Sequence, residues 1–276
     1  MSEIEHWTAF SDDPAGGNPA GVVRRAEGWS DERMQRTAAD LGYAESAFTT
    51  TDADGARRIR YFSPIAEVPF CGHATVATAA ALAERDGDGR FVFETAVGAI
   101  EITTRSDERG RIVSFTSVEP DAAELAPATL GEITALLGID KEALHPSYPP
   151  ALAYGGNWHP LLVLAERSVF DAFVFDPAAA RRLLDANGWP ATIIVLWPES
   201  DTLWHARNIF PVGTVSEDPA TGAAAAATGG YLRSRGLAPR RIRIRQGAHV
   251  GRPSELDVDV TSSGGIVVSG RAARIR

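Results

Sequence analysis

The sequence predicts an α+β protein of two similar halves, each a curled sheet or open barrel wrapped round a central helix. Three observations lead there. Short β-type runs outnumber helical patterns and do not alternate with them, which excludes a regular βαβ plan. Two stretches, "HATVATAAALA" (73–83) and "GAAAAATGG" (222–230), carry no formal charge on any face apart from His73. A helix that is apolar all round is buried all round, and at this length the burial is inside protein. Finally, the chain repeats itself in order: "GGNPAGVV" (16–23) with "GGNWHPLLV" (155–163), "RYFSP" (60–64) with "RNIFP" (207–211), and the glycine-opened helices. Asn18 and Asn157 are 139 apart, Arg60 and Arg207 147 apart, and Gly72 and Gly222 150 apart, near-constant offsets that point to a duplicated domain.

The elements follow in chain order. "GVVRR" (21–25) reads as a strand, "DERMQRTAADLG" (31–42) as a helix, and "SAFTT" (46–50) and "RIRYFS" (58–63) as strands. After the first small-residue helix come the strands "FVFET" (91–95), "AIEITTR" (99–105) and "RIVSFTS" (111–117). The acidic, Pro/Ala-rich "SVEPDAAELAPAT" (117–129) reads as the seam. Beyond it lie "LLVLA" (161–165), "TIIVLW" (192–197), "LWHARNIF" (203–210), the second small-residue helix, "RIRIRQG" (241–247), "ELDVDV" (255–260) and "GIVVSG" (265–270). No GxGxxG follows a strand, so a doubly wound nucleotide-binding fold is not expected.

Composition narrows the function. A net charge of −9 over 276 residues argues against a nucleic-acid partner. The basic stretches "RRIRIRQ" and "RAARIR" alternate with apolar residues and read as solvent faces of strands. Cys71 is the single cysteine, so no internal disulfide forms; with no Cys pair and no HExxH, no metal site is expected. The N-terminal "MSEIEHWTAF" has acids and no apolar core, and no run approaches the ~20 apolar residues of a membrane span. A cytoplasmic protein without membrane partners is the expectation.

Several residues are candidates for chemistry, each beside a plainer role. Glu45, flanked by Ala44, Ala47 and Phe48, reads either as a partly desolvated general acid/base or as a helix cap or surface carboxylate. Asp218 precedes the second helix and reads equally as a capping carboxylate. At the start of the first helix His73 is expected neutral, as a hydrogen-bonding group of the site or of the structure. Cys71 reads as a thiolate at a helix N-terminus or as an inert buried thiol. Asn18 reads as a turn residue. Helix starts at Gly72 and Gly222 offer N–H groups and a positive dipole end to a small carboxylate, with glycine permitting close approach.

"DPAGGNPAGVV", "AESAF", "YFSPIAEVPFCGHAT", "SEDPATGAA" and "RQGAHVGRPS" resemble the PhzF family of phenazine-biosynthesis isomerases, in family order from residue 12 to 254. The resemblance implies the diaminopimelate epimerase-like fold: two β-barrels, each round a central helix, with the active site in the cleft between them. It implies an N-terminal half of residues 1–118 completed by the final strand, 265–276, a C-terminal half of 119–264, and a homodimer. Glu45 matches the glutamate that takes a proton from one carbon of dihydro-hydroxyanthranilate and returns it to another, without cofactor. His73 and Asp218 match active-site residues that bind and polarise substrate. Asn18 matches a cleft-lining asparagine, and Gly72, Thr221, Gly222 and Ala223 fall at helix starts that hold the substrate carboxylate. Two departures, Ala223 for a serine and Ala74 for a frequent proline, count against the phenazine precursor as substrate. Cys71 falls where diaminopimelate epimerase has one of its two thiols, but Pro219 lies near the other position, so two-thiol epimerisation is not expected.

The expected activity is therefore a cofactor-independent isomerase of a small carboxylate-bearing metabolite. The alternatives are an epimerase or double-bond isomerase of an amino-acid-like metabolite, and a non-catalytic binding protein with the same fold.

Overall fold

A computed structural model of the chain describes residues 4–212, 215–237 and 240–276. Residues 1–3 of the acidic N-terminal stretch lie outside the described residues. Contacts gather the chain into two compact units, the residues up to Thr116 together with Ser269–Arg276, and Ser117–Val268.

In the first unit, β1 (Ile4–Ala9) and β2 (Asn18–Val23) form a hairpin, followed by α1 (Asp31–Leu41), β3 (Glu45–Thr51), β4 (Arg57–Phe62) and the short β5 (Glu67–Val68). Helix α2 (Gly72–Asp86) and strands β6 (Arg90–Thr95), β7 (Gly98–Asp107) and β8 (Gly110–Thr116) complete this stretch. The strands pair in the order β1, β2, β3, β4, β6, β7, β8, and the last strand of the chain, Val267–Ile275, pairs with both β8 and β1. That closes an eight-stranded barrel where the sequence admitted an open one. Two pairings are parallel, β2 with β3 and β4 with β6, and parallel neighbours need a crossover. Helix α1 supplies the first on the outside, packing Met34 and Ala38 on Val23, Phe48 and Phe62. Helix α2 supplies the second on the inside. Every residue from His73 to Ala83 is buried, as a helix without a charged face requires.

The second unit holds β9 (Asp121–Glu124), α3 (Pro127–Leu137), β10 (Ala151–Tyr154), β11 (Trp158–Val163), α4 (Arg167–Ala172) and α5 (Pro177–Ala186). It continues with β12 (Ile193–Pro198), β13 (Leu203–Val212), β14 (Val215–Asp218), α6 (Gly222–Ser234), β15 (Arg241–Gln246) and β16 (Ser254–Asp259), after which β17 (Val267–Ile275) returns to the first unit. Its strands run β9, β10, β11, β12, β13, β15, β16. Ser117 N donates to Ile266 O at 2.8 Å and Ile266 N to Ser117 Oγ at 3.0 Å, tying the segments that flank the two edge strands. The parallel pairs, β11 with β12 and β13 with β15, repeat the plan of the first unit. One crossover is outside, where α4 and α5 cover Leu162, Ile193 and Val195; the other is the buried α6. The proposed seam is itself structured, since "SVEPDAAELAPAT" contains β9 and the first turn of α3. Four residues of strand bounded by prolines carry too little periodicity to be seen.

Small residues let the walls close on α6. A Cβ added at Gly230 would meet Pro120 at 2.3 Å, and one at Gly155 would meet the α6 backbone at Ala223 O and Ala227 N, both at 2.5 Å. On β15, Arg241, Arg243 and Arg245 face solvent between buried Ile242, Ile244 and Gln246, and pair with Asp259, Asp257 and Glu255 of β16. The basic stretch is thus a charge-matched strand face, as its alternation indicates.

Candidate active site

In the first unit, parallel pairing sets the start of β3 beside β2, with Ala20 opposite Glu45, and α2 begins inside the same barrel. Four of the sequence-selected side chains meet there. Glu45 Oε2 lies 3.6 Å from His73 Nε2. Cys71 Sγ stands 3.5 Å from Glu45 Oε2, 3.4 Å from His73 Nδ1 and 3.8 Å from its Nε2. The buried Asn18, first residue of β2, brings Nδ2 to 3.1 Å from His73 Nδ1.

Burial, the only cause resolved, lowers the His73 pKa to about 3, so the ring is neutral at neutral pH. The sequence expectation of neutrality rested on the helix dipole; desolvation is the stronger reason. With Asn18 donating to Nδ1, the ring proton sits on Nε2, facing the Glu45 carboxylate. The ring therefore sets no positive charge beside the carboxylate.

Gly72 opens α2, whose N-cap Cys71 makes no side-chain cap, so the first-turn N–H groups receive no side-chain acceptor from that position. Thr75 Oγ1 instead donates back to Cys71 O at 2.6 Å and shares a 2.6 Å bond with Tyr61 Oη, which fixes the turn.

The second unit gathers another group at the start of α6. Asp218, the buried last residue of β14, accepts from Thr221 Oγ1 at 2.5 Å. Thr221 is the N-cap of α6 but makes no side-chain cap, and Gly222 and Ala223 form the first turn. Asp218 thus meets the helix start through the Thr221 hydroxyl.

Sequence reading missed Gln246. Its Nε2 donates to Asp218 O at 2.6 Å and Thr221 Oγ1 at 3.0 Å, while its Oε1 accepts from Asn208 Nδ2 at 3.2 Å and Thr221 N at 3.3 Å. One amide thus clamps the whole β14–α6 turn. The signal was present: Gln246 is the polar residue at the inward phase of an otherwise apolar Ile242/Ile244 alternation.

The PhzC-PhzF family profile, described as phenazine biosynthesis-like protein, matches residues 7–276. The chain belongs to this family. A Deinococcus radiodurans protein named as an uncharacterized isomerase is 33% identical over 96% of the chain and 88% of its own length. The trans-2,3-dihydro-3-hydroxyanthranilate isomerase of Pseudomonas aeruginosa is 29% identical over 96% of each chain. Among solved structures, the PhzF-family protein of Bacillus anthracis superposes with a TM-score of 0.86 at 25% identity, covering 99% of this chain and 96% of that one. This PhzF-family chain is accordingly an isomerase with the epimerase-like fold that the resemblance implies. Among the described residues no helix is long and apolar enough to cross a membrane.

Proposed function

We propose that the chain moves a proton between two carbons of a small carboxylate-bearing metabolite, with Glu45 as the general acid/base. The observation that carries this reading is the Glu45 carboxylate at 3.6 Å from a neutral, buried imidazole that Asn18 orients. In the carboxylate form Glu45 takes the proton; as the acid it returns that proton to a second carbon. The same group starts and ends ionised, so the cycle needs no cofactor. His73 stands beside the carboxylate and offers a neutral hydrogen bond to charge developing on the substrate, where preorganised donors give most of their effect. In the first unit the start of α2, with Gly72, offers N–H groups to a carboxylate; in the second, Thr221, Gly222 and Ala223 offer the same at the start of α6, where Asp218 holds the Thr221 hydroxyl. Holding the carbon acid against its base supplies the entropic part of the acceleration.

Cys71 does not favour a two-base epimerase. Inversion at one carbon needs groups on opposite faces, and a thiol 3.5 Å from Glu45 Oε2 approaches from the same side. The homodimer remains part of this reading, supported by the family resemblance alone, and so does the cytoplasmic setting, supported by the sequence composition alone.

The test is deuterium uptake in D₂O from a panel of small cyclic and unsaturated carboxylates, wild type beside Glu45→Gln. Uptake by the wild type, reduced by about 10²–10⁴-fold in the variant, supports the reading. Undiminished uptake by Glu45→Gln sinks it.

A further inference from the structure

We propose that Tyr61 is a positioning residue for the isomerisation: acting through Thr75, it holds the first turn of α2, and with it His73, against the strand that carries Glu45. Tyr61 lies on β4 and is 1% exposed, and Thr75 in α2 is fully buried. Tyr61 Oη is 2.6 Å from Thr75 Oγ1, and Thr75 Oγ1 donates to Cys71 O at 2.6 Å. A carbonyl can only accept, so the Thr75 hydrogen is spent on it and the Tyr61 hydroxyl donates to Thr75 Oγ1. Burial raises the Tyr61 pKa far above the ordinary value of a phenol, so that hydrogen stays in place. The result is a directed chain, Tyr61 to Thr75 to Cys71, that ends on the peptide joining Cys71 to Gly72.

Backbone pairing gives this chain its consequence. In the β3–β4 ladder Tyr61 stands opposite Ala47, and Phe62 opposite Ser46, the residue after Glu45. Tyr61 thus has its main chain on the strand pair that carries the carboxylate, and its side chain on the helix start that carries Cys71 and His73. The 3.6 Å from Glu45 Oε2 to His73 Nε2 and the 3.5 Å to Cys71 Sγ both depend on where that helix start lies relative to β3. The phenol ring is itself held edge-on by Phe70, with 5.9 Å between centroids.

In the second half the fold does without such a chain. With Gly222 matched to Gly72, Ala225 falls at the position of Thr75, and Ala225 N bonds Thr221 O at 3.0 Å just as Thr75 N bonds Cys71 O at 3.1 Å. Helix α6 therefore begins, and is buried, with no hydroxyl there. The hydroxyl pair belongs to the unit that holds Glu45 and His73.

The test is alkylation of the folded full chain by iodoacetamide, which reads the α2 start without a substrate because Cys71 is the single cysteine and is only 7% exposed. Freeing the Cys71 peptide uncovers the thiol. Tyr61→Phe and Thr75→Val are expected to raise the rate about 10-fold, the scale of one lost hydrogen bond, while Thr75→Ser keeps the wild-type rate. Thr78→Val is the matched control: it removes the same kind of buried bond further along α2, Thr78 Oγ1 to Ala74 O at 2.7 Å, and is expected to leave the rate unchanged. Rates unchanged in Tyr61→Phe and Thr75→Val, or raised equally by Thr78→Val, overturn the proposal. Should Thr75→Val fail to fold, by circular dichroism, Tyr61→Phe, which removes a single oxygen, decides.

The effect on turnover rests on the proton-transfer reading. On a carboxylate that the wild type deuterates, Tyr61→Phe and Thr75→Val are expected to slow exchange about 10-fold, with Thr75→Ser restoring it. Faster alkylation with undiminished exchange overturns the positioning role. If no carboxylate is deuterated, the alkylation rates decide on their own, so failure of one reading is told apart from failure of the other.

Discussion

Asn18 Nδ2 stands 3.1 Å from His73 Nδ1, on the opposite side of the ring from the Nε2 that faces Glu45 at 3.6 Å. This one amide selects the tautomer that presents N–H to the carboxylate. Asn18→Leu removes the selection without adding charge, and turnover is expected to fall about 10–100-fold, the usual scale for a lost orienting partner. Asn18→Asp pulls the ring proton to Nδ1 and leaves Nε2 as a lone pair against a carboxylate, so the loss is larger. Imidazole ¹⁵N shifts check the cause: if both variants keep the Nε2–H form, Asn18 does not set the tautomer.

Gln246 makes a second prediction through its hold on the β14–α6 turn. Gln246→Leu strips partners from Thr221 N and from Asn208 Nδ2, a cost of about 1–3 kcal/mol in unfolding free energy. If that turn holds the substrate carboxylate, KM rises by more than kcat falls. A variant whose kcat drops at constant KM would assign Gln246 to the chemical step instead.

Much of this fold was legible because two independent signals agree. The all-small helices could only be core, and the repeated motifs in constant order could only be a duplicated topology; both appear as parallel crossovers over an inner helix. The grouping of Glu45, His73 and Asn18 was legible through family motifs, not spacing, since 55 residues separate Asn18 from His73. The strand that closes the first barrel was named only through the family resemblance, because local patterning does not reveal which distant strand fills the gap between β8 and β1. Nor does a repeated motif reveal its environment, as the two arginines of "RYFSP" and "RNIFP" show.

Arg207 is buried against Glu217 and donates to the carbonyls of Phe170 and Phe173 at 3.1 and 2.9 Å, whereas Arg60 pairs with Asp31 and Glu67 at the surface. Arg207→Ala strands a buried carboxylate and is expected to cost about 3–5 kcal/mol. Arg60→Ala is expected to cost no more than about 1 kcal/mol, since exposed pairs contribute little. Chemical unfolding of both variants checks the contrast, and equal losses would contradict the assigned burial.

Two helical glycines give a contrast of opposite sign. Gly230→Ala drives a Cβ to 2.3 Å from Pro120, so α6 or the β9 entry must shift, at a cost of about 1–3 kcal/mol. Gly131 in α3 has nothing within 4 Å of a built Cβ, and Gly131→Ala is expected to raise stability by about 0.5–1 kcal/mol through helix propensity. Melting temperatures moving in the same direction would refute the packing argument for α6.

His159 supplies the pH dependence. Its Nδ1 lies 3.0 Å from both Thr192 O and Thr192 Oγ1, and burial lowers its pKa from 6.5 to about 4. Between those values the unfolded chain binds a proton that the folded chain excludes. Stability therefore rises with pH across this window: the neutral ring's contribution is complete above pH 6.5, shrinks as pH falls, and is gone below about 4. The full span is roughly 3 kcal/mol, because each tenfold weakening of proton binding is worth about 1.36 kcal/mol. His159→Gln keeps a donor for Thr192 O but does not titrate, and comparison with wild type cancels every other titrating group. Urea unfolding at several pH values from 6.5 downward should show the wild type losing ground to the variant by that amount. A difference between the two proteins that stays constant with pH would mean that the folded and unfolded chains take up this proton alike.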